Sequence, residues 1–291
     1  MFTSRQNLQT PDYIHSNGNF SLGYHTDMIR DRSRVGAFEK ALKQVVKKGD
    51  RVLEIGCGSG ILSIIAASCG ASVTALEADK HIAKLAKKNF DKHNNLDITL
   101  IEGDAVEFLK EFEGEKFDVI VAELMSIWCI EEPQVPIVNL ARKKALATNG
   151  VVIPTRISNF MAIGNFDFGN ELVECVYPIA RFTGIPDAVL LSETKLVNSL
   201  DFYDEVSIDM EGEVVFDVYA SGEINCVQIS SLVELVDGVT FYTSNTLMPV
   251  SIVPLKIPIE VKRGDRVVIS YAYRHRSALE SAIFIAKKID E

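Results

Sequence analysis

The sequence is short of the features expected of a secreted, membrane-spanning or metal-caged protein. Its five cysteines (57, 69, 129, 175 and 226) are scattered, odd in number and never in a Cys-x-x-Cys pair. That argues against a disulfide framework or a zinc cage and fits a reducing cytoplasm, with each thiol read first as a small buried apolar residue. The five histidines are equally dispersed, so no metal site is expected. No apolar run reaches the ~18 residues of a membrane span. The polar start MFTSRQNLQTPDYIH does not read as a secretory signal. Internal repeats and low-complexity segments are also missing.

Basic residues are nearly absent from one long stretch. Residues 161–250 hold fifteen Asp/Glu but only Arg181 and Lys195, a local charge of −13, in a chain whose net charge is −10. Such a region repels phosphate backbones and attracts basic ligands, or serves as a solvated surface. With 291 residues the chain has room for two domains and a sizeable core without disulfide help.

What is present falls into two rhythms. From Asp50 to Pro154, the short apolar runs RVLEIG, SVTALE, ITLIEG, FDVIVAE and GVVIP alternate with segments of helical spacing. Buried parallel strands read this way, and repeated βα units predict a doubly wound, Rossmann-like parallel sheet. Asp79 and Asp104 suit helix N-caps, and residues 26–49 read as one or two helices ending at Gly49. After Pro154 the segments EVVFDVYA, CVQISSLVELV, VSIVPLKIPIEV and DRVVISYAY alternate, predicting a C-terminal antiparallel β-barrel or sandwich. Pro249, Pro254 and Pro258 should confine one strand to an edge or bulge. The expected division is a cap helix over 1–36, a cofactor domain over 37–155 and a substrate domain over 156–291.

VLEIGCGSG places Gly56, Gly58 and Gly60 at the turn from a strand into a helix, where the chain must bend sharply and its backbone must touch a ligand. The spacing differs from the dinucleotide GxGxxG pattern. Glu77 closes the second strand, placed for two ribose hydroxyls, and Asp104 follows the third, placed for an adenine amino group. Together they point to S-adenosyl-L-methionine. A nucleotide or dehydrogenase reading and a purely structural use of the glycines are the alternatives.

Chemistry should follow the fourth strand, at the ligand-binding end of the sheet. AELMSIWCIEEP (122–133) stands there in place of the Asn/Asp/Ser-Pro-Pro-aromatic clamp of base methylases. This stretch resembles the double-glutamate loop of protein arginine methyltransferases, with Glu123 and Glu132 on the two glutamates and Met125 on the loop methionine. GYHTDMIRDRSR is similar to that family's N-terminal helix, through His25, Met28 and Arg34, while GVVIPTR and IEVKRGDRV resemble segments entering and closing its barrel. The resemblance runs from about Tyr13 to the C-terminus and is densest over 23–160.

It implies that Arg34 grips the cofactor's carboxylate, with His25 and Met28 beside it. Glu123 and Glu132 would clamp a planar guanidinium by charge-assisted bonds, with Met125 near the methyl group. Glu123 has a second reading as a sheet-end carboxylate, Glu132 as an acid ahead of a helix with Pro133 at its first position, and Arg34 as a partner of Asp31 or Glu39. Three departures accompany the likeness. Thr246, Leu247 and Met248 replace a Thr-His-Trp loop, Asn19 sits where a second tyrosine is expected with Tyr13 too far upstream, and 166–214 is short and acidic for a dimerisation arm. His25 or His275 would substitute for the lost imidazole, although YRHRS around His275 reads as a solvated hairpin turn. The expected activity is N-methylation of a basic nitrogen, such as arginine in a protein. RNA, a small-molecule N or S acceptor, and an inactive cofactor-binding scaffold are the alternatives. A homodimer stands open.

Overall fold

The apolar runs of the first rhythm become the strands of one parallel sheet. In the computed structural model, which describes residues 22–169, 172–181 and 184–289, these are β1 (Arg51–Ile55), β2 (Ser72–Glu77), β3 (Ile98–Glu102), β4 (Phe117–Ala122) and β5 (Leu146–Ile153). Their order is β3-β2-β1-β4-β5, each neighbouring pair parallel. The order reverses at β1, and a crevice opens beyond the carboxyl ends of β1 and β4, where such sheets bind ligands.

Helices α3 (Ile61–Ser68), α4 (Lys80–Asp91), α5 (Ala105–Glu111) and α6 (Gln134–Ala145) connect the strands. Asp79 and Asp104 cap α4 and α5 as expected, each Oδ1 accepting two backbone N–H bonds. Ahead of the sheet the expected helical stretch divides into α1 (Leu22–Met28) and α2 (Arg32–Val45). Asp31 restarts the helix by accepting from the Arg34 N–H. Helix α2 stops at Val45 rather than Gly49, because Val46 is already extended and Gly49, at φ +89°, serves the turn into β1.

The second rhythm gives two antiparallel sheets. One has the order β7 (Ile179–Ala180), β13 (Ser251–Val261), β11 (Gly222–Val236), β6 (Arg156–Asn165) and β8 (Val189–Leu190), with β12 (Val239–Tyr242) on β11 and β9 (Lys195–Asp201) on β6. The other is β10 (Asp209–Asp217), β14 (Arg266–Arg274) and β15 (Ile283–Lys288). The proline-rich strand is β13, and its register against β11 slips where Ile224 faces Ile259 but Cys226 faces Pro254. That is the expected bulge.

One core joins the parallel sheet to the antiparallel half, running from Val52 and Ile120 to Leu200, Phe202, Leu235 and Phe241. Phe38 of α2 meets Phe241 with ring centroids 6.3 Å apart. A second core fills the antiparallel sheets around Ile163, Phe216, Ile229 and Ile269, and it contains Trp128 from the loop after β4. Among the described residues no helix is long and apolar enough to cross a membrane.

Candidate active site

The glycine turn is shaped by steric necessity. Gly56 and Gly60 have φ of +73° and +83°. A Cβ on Gly56 would lie 2.5 Å from Leu124 Cδ2, and one on Gly60 would lie 2.3 Å from Phe90 Cε1. Neither position tolerates a side chain without moving its neighbour. At Gly58 a Cβ would come within 3.2 Å of the His25 ring, so α1 lies directly against the turn. Glu77 fixes the loop from β2, its Oε2 accepting from the Gly58 N–H at 2.8 Å and its Oε1 from the Asp79 N–H at 2.9 Å. Burial raises its proton affinity. Each carboxylate oxygen keeps acceptor capacity for a ribose hydroxyl.

Arg34 is buried, and of the two partners read for it Asp31 lies close. Its Nη1 pairs with Glu123 Oε1 at 3.0 Å and its Nε lies 3.7 Å from Asp31 Oδ2. Burial opposes its charge, yet Glu123, Tyr24, Asp31 and Glu132 hold its proton affinity above the ordinary value. Its Nη2 is buried with no hydrogen-bond partner. An unanswered guanidinium donor costs free energy and fits an incoming carboxylate. With the side-chain-free glycine turn and the Glu77 acceptors, these residues fit S-adenosylmethionine. His25, Met28 and Asp104 line the same cavity of about 640 Å³. Burial lowers the proton affinity of His25, against the pull of Asp79.

Glu123 directly follows β4, and the Leu124 N–H donates to the Gln134 side chain at 2.9 Å. Helix α6 begins at Gln134, with Pro133 as its cap rather than its first residue. Glu132 therefore lies outside the helix. An acid serving a helix dipole would have a depressed pKa, whereas that of Glu132 is pushed up to about 8, first by burial and then by Glu123, with Arg34 opposing. Burial also raises Glu123, against the lowering by Arg34. Both glutamates and the buried Met125 line the cavity, which gathers the sequence-predicted site residues apart from Gly60, whose place in the turn is described above.

Leu247, Met248 and Pro249 also line the cavity. The Leu247 N–H donates to Asp31 Oδ2 at 2.9 Å, tying this wall to α2. The reading of YRHRS as solvated is corrected at His275, which is 1% exposed and contacts the Cys129 carbonyl through Nδ1 at 2.8 Å. Arg276, at φ +63°, lines the cavity mouth. Tyr13 and Asn19 lie outside the described residues.

The sequence reading also passed over Tyr24, Glu54 and Gln134. Glu54 was detectable as an acid inside the apolar strand RVLEI. It is buried, bonded to the Ser63 hydroxyl, and pushed up to about 8 by burial.

Comparisons with known proteins bear on the fold and the cofactor. The family model for ribosomal protein L11 methyltransferase (PrmA) matches residues 39–153, the parallel-sheet half. An uncharacterized protein of Methanocaldococcus jannaschii is 29% identical over 89% of this chain and 94% of its own length. A probable protein arginine N-methyltransferase 6.1 of Oryza sativa subsp. indica is 34% identical over 60% of this chain. That alignment spans 49% of the rice protein, so the match covers about half of its length. Among solved structures, the PRMT1 enzyme-prozyme heterotetrameric complex of Trypanosoma brucei with AdoHcy aligns at a TM-score of 0.75. It shares 18% identity and covers 92% of this chain and 98% of its own, a likeness of fold.

Proposed function

We propose, for a chain that is a class I S-adenosylmethionine-dependent methyltransferase with protein arginine methyltransferase-like architecture, that it methylates a basic nitrogen, most specifically the guanidinium of an arginine in a protein. The observation that carries this reading is the convergence of Glu123, Glu132 and Arg34 on one cavity with the glycine turn. Asp31 and Glu123 flank the buried cation Arg34, and Glu132, once ionised, adds a negative charge suited to a cationic guest.

When bound, S-adenosylmethionine supplies an electrophilic methyl carbon on a sulfonium. Gly56, Gly58, Gly60, Glu77 and Asp104 would hold its adenosine end and Arg34 its carboxylate. Glu123 and Glu132 would accept the guanidinium N–H groups and fix its plane, leaving one nitrogen lone pair directed at the methyl carbon. Met125 and the Leu247–Met248 wall keep water from that line. Glu132 has the proton affinity to receive the proton the nitrogen loses.

On this reading, 37–155 forms the cofactor domain and 156–291 the acceptor domain. The exposed acids Asp209, Glu211, Glu213 and Asp217 along β10 favour a cationic acceptor over RNA. The exposed Val176, Tyr177 and Val189 support a homodimer, which light scattering tests. The five cysteines, all unpaired, support a cytoplasmic setting.

Transfer of labelled methyl groups into a glycine–arginine repeat peptide, read by mass spectrometry, is the direct test. Modified arginine is expected. Label appearing only in RNA or in small molecules, in a parallel cell-extract assay, would overturn the arginine reading.

A further inference from the structure

The loop between Glu123 and Glu132 contains two consecutive non-glycine residues in the left-handed region, Trp128 at φ +53° and Cys129 at φ +54°. L side chains adopt that conformation at a cost, so something outside the loop must hold it. Inside the loop, Ser126 Oγ accepts from the Glu131 and Glu132 N–H groups at 2.8 and 3.2 Å, which sets the second glutamate by way of the first turn. The remaining anchors come from the antiparallel half. The Trp128 indole N–H donates to the Ser230 carbonyl at 3.0 Å, and the Ser277 N–H donates to the Ile130 carbonyl at 3.0 Å. His275 contacts the carbonyl of Cys129 itself.

A carbonyl only accepts, so that contact assigns the proton to Nδ1 of His275. The ring has no freedom to look elsewhere. It is buried, the backbone N–H of His275 donates to the Ile208 carbonyl, and the ring stands perpendicular to that of Tyr273 with centroids 5.3 Å apart. Tyr273 in turn packs on Trp128. Donor, strained carbonyl and indole thus form one packed unit behind the loop.

We propose that His275 is a positioning residue: its Nδ1–H holds the left-handed Trp128–Cys129 corner and thereby sets Glu132 for the acceptor. The inference rests on the acceptor reading given above, but its central test does not. Trp128 is the sole tryptophan of the chain, so intrinsic fluorescence reports on this loop alone.

Asn places an amide donor near the position of imidazole Nδ1, whereas Gln places it near that of Nε2. His275→Asn is therefore expected to keep the emission maximum and acrylamide quenching of Trp128. His275→Gln should red-shift the emission and raise quenching several-fold. Adenosylhomocysteine affinity, measured calorimetrically, should change little in either. His275→Leu, which has no donor, should behave as the Gln variant does. With a glycine–arginine repeat peptide, the Gln variant should raise the peptide KM roughly tenfold while leaving the cofactor KM in place.

Identical Trp128 signals in the Asn, Gln and Leu variants would overturn the proposal. So would a Gln variant that loses cofactor affinity in step with the Trp128 change, because the histidine would then support the fold as a whole. A wild-type protein that ignores the peptide counts against the arginine reading, and the Asn–Gln contrast at Trp128 still decides the role of His275.

Discussion

The two glutamates of the loop after β4 are held by different halves of the molecule. Glu123 stands at the end of a parallel strand, paired with Arg34, with the next residue's N–H bonded to Gln134 only ten positions ahead. Glu132 reaches the same cavity at the far end of a strained corner fastened to Ser230 and His275, which lie 102 and 146 residues from their partners. The first carboxylate follows from local strand and helix geometry, the second from long-range packing. A mutation in the parallel half should thus act on the chemistry directly, and one in the antiparallel half through position.

The largest effect should come from the rigid end. Glu123→Gln removes the charge that fixes the acceptor and leaves Arg34 with Asp31 and Glu132 as its nearby acids. Methyl transfer is expected to fall by about 10³-fold, the scale of losing a positioned electrostatic group. Adenosylhomocysteine affinity, followed by calorimetry, should stay within a few-fold. Comparable losses in both would mean that Glu123 serves the cofactor rather than the acceptor. Gly60→Ala, next in size, puts a Cβ on Phe90 at φ +83°. It should cost about 1–3 kcal/mol of stability, measured by denaturant unfolding, and weaken cofactor binding.

Glu132 supplies a pH test of the second carboxylate. Its carboxyl is pushed up to about 8, so in the free protein it is mostly protonated at neutral pH. Only the ionised form grips a cation. The kcat/KM for a basic acceptor should therefore rise with pH and level off above about 8, and Glu132→Gln should flatten that limb. A flat wild-type profile would show that Glu132 does not titrate in the step that kcat/KM reports. Glu54, also pushed up to about 8, gives the matching stability effect. Its folded pKa exceeds its unfolded one, so the native state binds more protons and stability falls as pH rises toward 8. Glu54→Gln should lessen that fall in urea titrations.

The same contrast explains what could be read from residues alone. All five parallel strands were legible because each is a short apolar run, and the glycine turn because its residues are adjacent in sequence. Strand β6 escaped notice since Asn159 interrupts RISNFMAIGN, and its polarity is answered only in the fold, by Asn198 and Ser231. Arg34 was singled out from its stretch, but its pairing with Glu123 joins residues 89 apart. His275 was misread for a physical reason: a basic string signals solvent, while the burial of its middle residue depends on a carbonyl far away in sequence. Tyr24 lies within the quoted GYHTDMIRDRSR but was not singled out, and only packing brings it to the cavity.

The smallest effect is expected one residue from the proposed positioning histidine. Arg274 pairs with Asp209 at 2.6 Å across the ends of β14 and β10, with side chains 61% and 71% exposed. An ion pair so open to water contributes below about 1 kcal/mol. The backbone there is held independently, because the His275 N–H still reaches Ile208. Arg274→Ala should therefore leave Trp128 emission, quenching and methyl transfer unchanged, with only a slight drop in melting temperature. If it instead loosened Trp128 as much as His275→Gln, the strand end as a whole would be holding the loop. The division of labour between the two halves would then rest on β14 rather than on one imidazole.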